Sequence, residues 1–134
     1  MKKVLFICYG NVARSQMAEA FYNHITDSSD AISAGLLDFT PAKYVHPIKD
    51  VIDVMAEEGI DVSQNKVKFL TQDMLDNSEK VYVLCEKDKC PGFLLQSDKV
   101  TFWENISDPY QTSVNNFRDK RDLIKERVLS LIKN

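Results

Sequence analysis

Short, nearly continuous apolar runs alternate along this chain with segments whose apolar residues recur every three to four positions. Val4-Leu5-Phe6-Ile7 is such a run and predicts a buried strand over residues 4–8. Gln16 to Tyr22 has helical composition with Met17, Ala20 and Phe21 on one face, predicting a helix from Ser15 to Ile25. A short strand over Ala31–Ser33 runs out at Gly35, and a loop holding Pro41 follows. Ile48, Val51, Ile52 and Met55 stand at helical spacing and predict a helix from Pro47 to Glu58, with Pro47 in its first turn and Gly59 as its stop. Thr71 is placed to cap a short helix through Leu75. Lys80–Leu84 and Lys99–Trp103 read as a third and a fourth strand. The last helix spans Val114 to Ile132, with Val114, Phe117, Ile124, Val128 and Leu131 on its inner face. Strands separated by helices predict an α/β fold, a parallel sheet with helices on both faces.

At 134 residues the chain, 1–134, reads as a single domain without repeats, linkers or low-complexity tracts. Hydrophobic content of 44% and charged content of 28% are those of an ordinary soluble globular protein. A net charge of −3 gives no bias toward nucleic acid or an anionic membrane. No apolar run approaches the roughly 18 residues of a membrane span. Met1-Lys2-Lys3 has the charge of a signal peptide's start, but the apolar stretch behind it is too short, so the expected location is the cytoplasm. Thiols stay reduced there, which makes the three cysteines chemical rather than structural. Those cysteines and the distant His24 and His46 show no metal-ligand spacing, so no metal and no cofactor are expected. His24 reads as a surface residue at a helix end, and His46 as a turn residue before Pro47.

The densest chemistry lies in Cys8-Tyr9-Gly10-Asn11-Val12-Ala13-Arg14-Ser15, between the first strand and the first helix. A small, glycine-containing loop there can turn its backbone N–H groups onto a tetrahedral oxyanion such as phosphate, sulfate or arsenate, and the helix N-terminus adds partial positive charge. Arg14 can grip two anion oxygens through its fork. The same field favours a thiolate at Cys8 and makes it the nucleophile. Ser15 can donate toward the sulfur, and Asn11 can brace the loop from inside. The competing reading is a core thiol at a strand end beside a surface arginine. Position argues against it, because open α/β sheets place their ligands at the strand ends.

This loop resembles the signature of the low-molecular-weight protein tyrosine phosphatases and of the thioredoxin-coupled arsenate reductases built on the same scaffold. The likeness runs almost end to end. It takes in Ser33-Ala34-Gly35, His46-Pro47, the stretch from Met55 to Ser63, and Asp108-Pro109, which resembles the family's general-acid loop. The resemblance implies a flavodoxin-like three-layer sandwich around a four-stranded parallel sheet, its first strand flanked by the second and third. It implies that Asp108 protonates the leaving oxygen. Cys85 and Cys90 then suggest a relay: Cys8 attacks arsenate, Cys85 attacks the adduct and expels arsenite, and Cys90 resolves the disulfide for reduction by thioredoxin. Gln16 after Arg14-Ser15, and Cys90-Pro91, resemble the reductase branch.

Other features point elsewhere. The Cys85–Cys90 step is shorter than the reductases usually show, and Tyr110 after Asp108-Pro109 is a phosphatase-like wall. Lys68 aligns with the place where some reductases hold a monovalent cation, so its ammonium is expected to stand in for that ion. The segment after Cys85 is expected to continue into helix or an ordered turn that keeps its thiols apart or misaligned until oxidation, with Pro91 ending any helix near Cys90. The reading is therefore an arsenate reductase acting as a monomer with a thioredoxin-like reductant. A tyrosine phosphatase using Cys8, Arg14 and Asp108, and a non-catalytic oxyanion-binding redox sensor, are the alternatives.

Overall fold

Residues 2–133 are described by a computed structural model. Four strands, β1 (Lys2–Cys8), β2 (Ala31–Gly35), β3 (Ser78–Val83) and β4 (Val100–Phe102), form one sheet in the order β2-β1-β3-β4. Every pairing is parallel, with Cys8 opposite Gly35 on one side of β1 and Ile7 opposite Val83 on the other. The helices are α1 (Arg14–Thr26), α2 (Thr40–Lys43), α3 (Lys49–Ala56), α4 (Gln72–Asp76), α5 (Gly92–Leu95) and α6 (Val114–Lys133). This is the three-layer architecture that the alternation predicts.

Period-two alternation along the strands divides the core between the two faces of the sheet. Val4, Phe6 and Cys8 face the layer of α1, α3 and α6, where they join Met17, Phe21, Met55, Phe117, Ile124 and Val128. Leu5 and Ile7 face the other layer with Val81, Val83, Leu75 and Leu94. Phe6 anchors the first core, its ring centroid 5.6 Å from Trp103 and 6.0 Å from Tyr82. Aromatic pairs at such distances contribute about 0.5–1.5 kcal/mol beyond their buried area. Arg121 staples α6 to α3, donating to the Val54 carbonyl at 2.9 Å and to Glu57 at 2.7 Å.

Several details differ from the sequence expectation. The single turn α2 falls in the loop expected around Pro41, and α5 has no counterpart in the apolar pattern, because a four-residue helix carries no periodicity to detect. Helix α3 opens at Lys49, since Ile48 is still extended at its start, so Pro47 precedes the helix instead of entering it. Val114 is exposed at the first turn of α6, while Phe117, Ile124 and Val128 are fully buried as expected. Thr71 does cap α4, its side chain accepting from the Met74 N–H.

The connection from β1 goes to β2, and the chain then crosses back to β3 on β1's other side. The C-terminal end of β1 is thus where the strand order reverses, the place at which open α/β sheets form a crevice. Gly35 brings β2 against the loop that leaves β1. A Cβ there would stand 2.8 Å from the Gly10 carbonyl carbon and 2.9 Å from the Asn11 nitrogen.

Candidate active site

The loop from Cys8 to Ser15 leaves β1 and feeds α1, and its polar side chains turn inward. Cys8, Asn11, Arg14, Ser15 and Gln16 are all buried. Two groups converge on the Cys8 sulfur: the Asn11 N–H at 3.3 Å and the Ser15 hydroxyl at 2.9 Å. Asn11 Nδ2 donates to Ser15 Oγ at 2.7 Å, which leaves the hydroxyl's own proton to point at the sulfur. Asn11 adopts a left-handed φ of 58°, a conformation asparagine tolerates better than most residues. Its Oδ1 accepts from Gln16 Nε2 at 3.0 Å and from the Lys68 N–H at 2.9 Å, fixing the side chain.

Arg14 lies across the loop with its side chain only 2% exposed. Nη1 donates to the Leu84 carbonyl at 3.0 Å and the Ile106 carbonyl at 2.9 Å, and sits 3.5 Å from Glu86 Oε1. Nη2 lies 3.8 Å from Asp108 Oδ2. Among the described residues Nη2 and Nε carry no hydrogen bond, so one side of the fork is open to an anion.

Above the loop is a cavity of about 240 Å³, with Cys8, Tyr9, Gly10, Val12, Ala13 and Arg14 on the loop side. Its other walls include Leu37, Phe39, Tyr44 and Tyr110, with Asp108 at the rim. Asp108 Oδ1 accepts from the Tyr110 N–H at 3.0 Å, and the Tyr110 hydroxyl meets that of Tyr44 at 2.6 Å. The two tyrosines thereby tie the Asp108 segment to the stretch following α2.

The three thiols are free, and they do not share one cavity. Cys85 stands just past β3, at the sheet edge that Cys8 occupies, but alternation sends it to the opposite face with Ile7, Val83 and Leu94. Leu84 N–H donates to the Ile7 carbonyl at 2.7 Å, extending the pairing right up to Cys85. Burial pushes the Cys85 thiol well above its ordinary range, and negative charge on Cys8 adds to the rise. Burial raises Cys90 too. A single 3₁₀ turn over Lys87–Lys89 closes the short step between them. The segment is the ordered turn expected, and Pro91 caps the next helix, α5, as its preceding residue. Cys90 packs against the cluster that holds Cys85, and its sulfur faces the Glu86 carbonyl at 3.8 Å.

Behind the loop, the Lys68 ammonium lies 3.6 Å from Glu19 Oε1 and donates to the Lys66 carbonyl at 2.9 Å. Ser33 Oγ also donates to Glu19, at 3.1 Å. A protein-borne cation therefore occupies the rear of the loop. His24 is exposed in the last turn of α1, and His46 Nδ1 meets the Asn65 carbonyl at 2.8 Å. Among the described residues no group of three His, Cys, Asp or Glu side chains is arranged around a metal site. No described helix is long and apolar enough to cross a membrane.

Sequence reasoning missed the roles of Gln16, Tyr44 and Glu86. A buried glutamine in the first turn of an apolar-faced helix was the available signal for Gln16. Tyr44 and Glu86 gave none, because each acts through a contact distant in sequence.

A thiol and a half-open guanidinium around an anion-sized cradle, at the end of a parallel strand, define a class of α/β protein suited to covalent work on tetrahedral oxyanions. The chain belongs to the low molecular weight phosphotyrosine protein phosphatase family, matching it over residues 3–134. It is 35% identical over 130 residues to arsenate reductase 2 of Staphylococcus epidermidis, spanning 96% of this chain and 95% of that protein. It is 33% identical over 133 residues to the glutaredoxin arsenate reductase of Synechocystis, spanning 98% and 97%. Among solved structures, an arsenate reductase in its phosphate-binding state superposes with a TM-score of 0.81 at 31% identity, covering 99% of this chain and 98% of the other.

Proposed function

We propose that this protein is an arsenate reductase working through a three-cysteine relay. The observation that carries the reading is the pair of free thiols, Cys85 and Cys90, packed in one cluster at the same sheet edge as the Cys8 cradle. A phosphate ester needs only one thiol. Two more beside it are what a two-electron reduction uses.

The chemistry runs in four steps. The Cys8 thiolate attacks arsenic held by the loop amides and Arg14, and a hydroxyl leaves as water with a proton from Asp108. The Cys85 thiolate then attacks the Cys8 sulfur. A Cys8–Cys85 disulfide forms, the sulfur–arsenic bond breaks with its electron pair going to arsenic, and arsenite departs. The Cys90 thiolate attacks the Cys85 sulfur, releasing Cys8 as thiolate and leaving a Cys85–Cys90 disulfide. A thioredoxin-like dithiol reduces that bond and is itself oxidised. Because Cys85 faces the opposite core from Cys8, the second step requires the segment after β3 to shift. We place the enzyme in the cytoplasm, where the thiols the relay depends on stay reduced, as a single-domain monomer.

A second reading has its own observation. Phe39, Tyr44 and Tyr110 wall the cavity, which extends beyond the space a bare oxyanion occupies. That lining suits an aryl phosphate ester, hydrolysed by Cys8 with Asp108 as acid and then base. Arsenate-dependent NADPH consumption, coupled through thioredoxin and its reductase, separates the readings. The relay predicts sustained turnover that Cys85→Ser and Cys90→Ser each abolish, while hydrolysis of p-nitrophenyl phosphate survives both changes. Hydrolysis without any arsenate-dependent consumption would leave the phosphatase. Reversible disulfide formation with neither activity would leave a redox sensor.

A further inference from the structure

Cys85 is flanked on both sides by residues that Arg14 holds. The carbonyl of Leu84, just before it, accepts from Arg14 Nη1 at 3.0 Å. The carboxylate of Glu86, just after it, lies 3.5 Å from the same nitrogen. Glu86 also organises the turn that carries the resolving thiol: its carbonyl accepts from the Lys89 N–H at 3.0 Å and faces the Cys90 sulfur at 3.8 Å. One residue therefore has its side chain on the oxyanion-binding arginine and its main chain in the relay segment.

We propose that Glu86 is a positioning residue that latches the Cys85–Cys90 segment to Arg14 while the cradle is empty and releases it when a tetrahedral dianion binds. The inference rests on the oxyanion site proposed above. The buried Arg14 charge is shared between two carboxylates, Glu86 and Asp108. An incoming dianion takes the Nη2 side of the fork, beside Asp108, and competes with Glu86 for the same guanidinium charge. Of the contacts on Nη1, that to Glu86 is the longest and the most exposed, its side chain 53% accessible. The carbonyl contacts, at 3.0 and 2.9 Å, keep Arg14 in place. The ion pair therefore yields first. Its release loosens the turn and lets Cys85 leave the far core only when an oxyanion fills the cradle. Without such a gate, two adjacent reduced thiols are open to oxidation whether or not substrate is present.

The test is alkylation by iodoacetamide of each of the three thiols, followed by peptide mass mapping, with and without inorganic phosphate. Wild type and Glu86→Gln are compared. In wild type, phosphate should slow labelling of Cys8 and speed labelling of Cys85 and Cys90. In Glu86→Gln, Cys85 and Cys90 should label at the fast rate whether phosphate is present or not. Phosphate should also protect Cys8 at a concentration about two- to fivefold lower, because Arg14 has lost a competing anion. A merely structural role for Glu86 would weaken phosphate binding instead. If phosphate protects Cys8 but leaves Cys85 and Cys90 unchanged in wild type, or if Glu86→Gln still responds, the latch is wrong and the oxyanion site stands. If phosphate does not protect Cys8 at all, the oxyanion site fails and the latch fails with it.

Discussion

Replacing Arg14 by lysine keeps the charge and removes the geometry, and the structure shows what is lost. The guanidinium serves two groups of partners at once. Nη1 holds the Leu84 and Ile106 carbonyls, while Nη2, 3.8 Å from Asp108, and Nε carry no hydrogen bond among the described residues. A lysine ammonium is a single point with no planar fork, so it can satisfy the carbonyls or face the anion, but not both in the original arrangement. Leaving one buried carbonyl unpaired costs about 1–3 kcal/mol of stability. Losing a bidentate grip on developing oxyanion charge costs about 2–4 kcal/mol in the transition state. At 1.36 kcal/mol per factor of ten, that is on the order of 30- to 900-fold in kcat/KM. The assay is steady-state arsenate reduction coupled to NADPH oxidation, with p-nitrophenyl phosphate hydrolysis as a second readout and thermal melting as a check on folding. A folded Arg14→Lys protein within threefold of wild-type kcat/KM would refute the two-sided role of this side chain.

Cys8→Ser should abolish reduction and any hydrolysis yet still bind phosphate, because the loop amides and Arg14 are untouched; substantial turnover, measured by either assay, would remove Cys8 as nucleophile. Gly35→Ala should lower stability by about 1–3 kcal/mol and depress activity, since its Cβ would press on loop backbone at 2.8 and 2.9 Å; an unchanged urea midpoint would show that the loop gives way freely. Hydrogen bonds from Arg118 and Arg121 depress the Glu57 carboxyl from 4.5 to about 2. A depressed carboxylate stabilises the fold fully above its unfolded value and loses that contribution as pH falls toward its folded value. Urea midpoints of wild type and Glu57→Gln should therefore converge between about pH 4.5 and 2, whereas a gap that stays constant across that window would contradict the pairing.

Long-range order was legible where the signal was local and repeated. The apolar runs at Val4–Ile7 and Val81–Leu84 and the spacing of Phe117, Ile124 and Val128 led directly to β1, β3 and α6. The cradle was legible because its residues are contiguous: Cys8, Asn11, Arg14 and Ser15 sit on one loop, and the structure brings them together. What sequence did not show depends on chain crossings. That Arg14 is held by carbonyls of Leu84 and Ile106, that Tyr44 meets Tyr110, and that Glu86 reaches Arg14 are contacts set by the strand order. Alternation supplies the sharpest difference. It places Cys8 and Cys85 at one edge but on opposite faces, a fact implicit in the β1–β3 register and invisible until that register is known.

The relay itself is tested most directly by trapping its middle step. Cys90→Ser, reduced, separated from reductant and given one equivalent of arsenate, should release about one equivalent of arsenite and then stop. Non-reducing peptide mass mapping should find Cys8 joined to Cys85, which requires Cys85 to have crossed from the far core to the cradle. Arsenite release with Cys8 and Cys85 both still free, or multiple turnovers in this variant, would contradict the three-cysteine account.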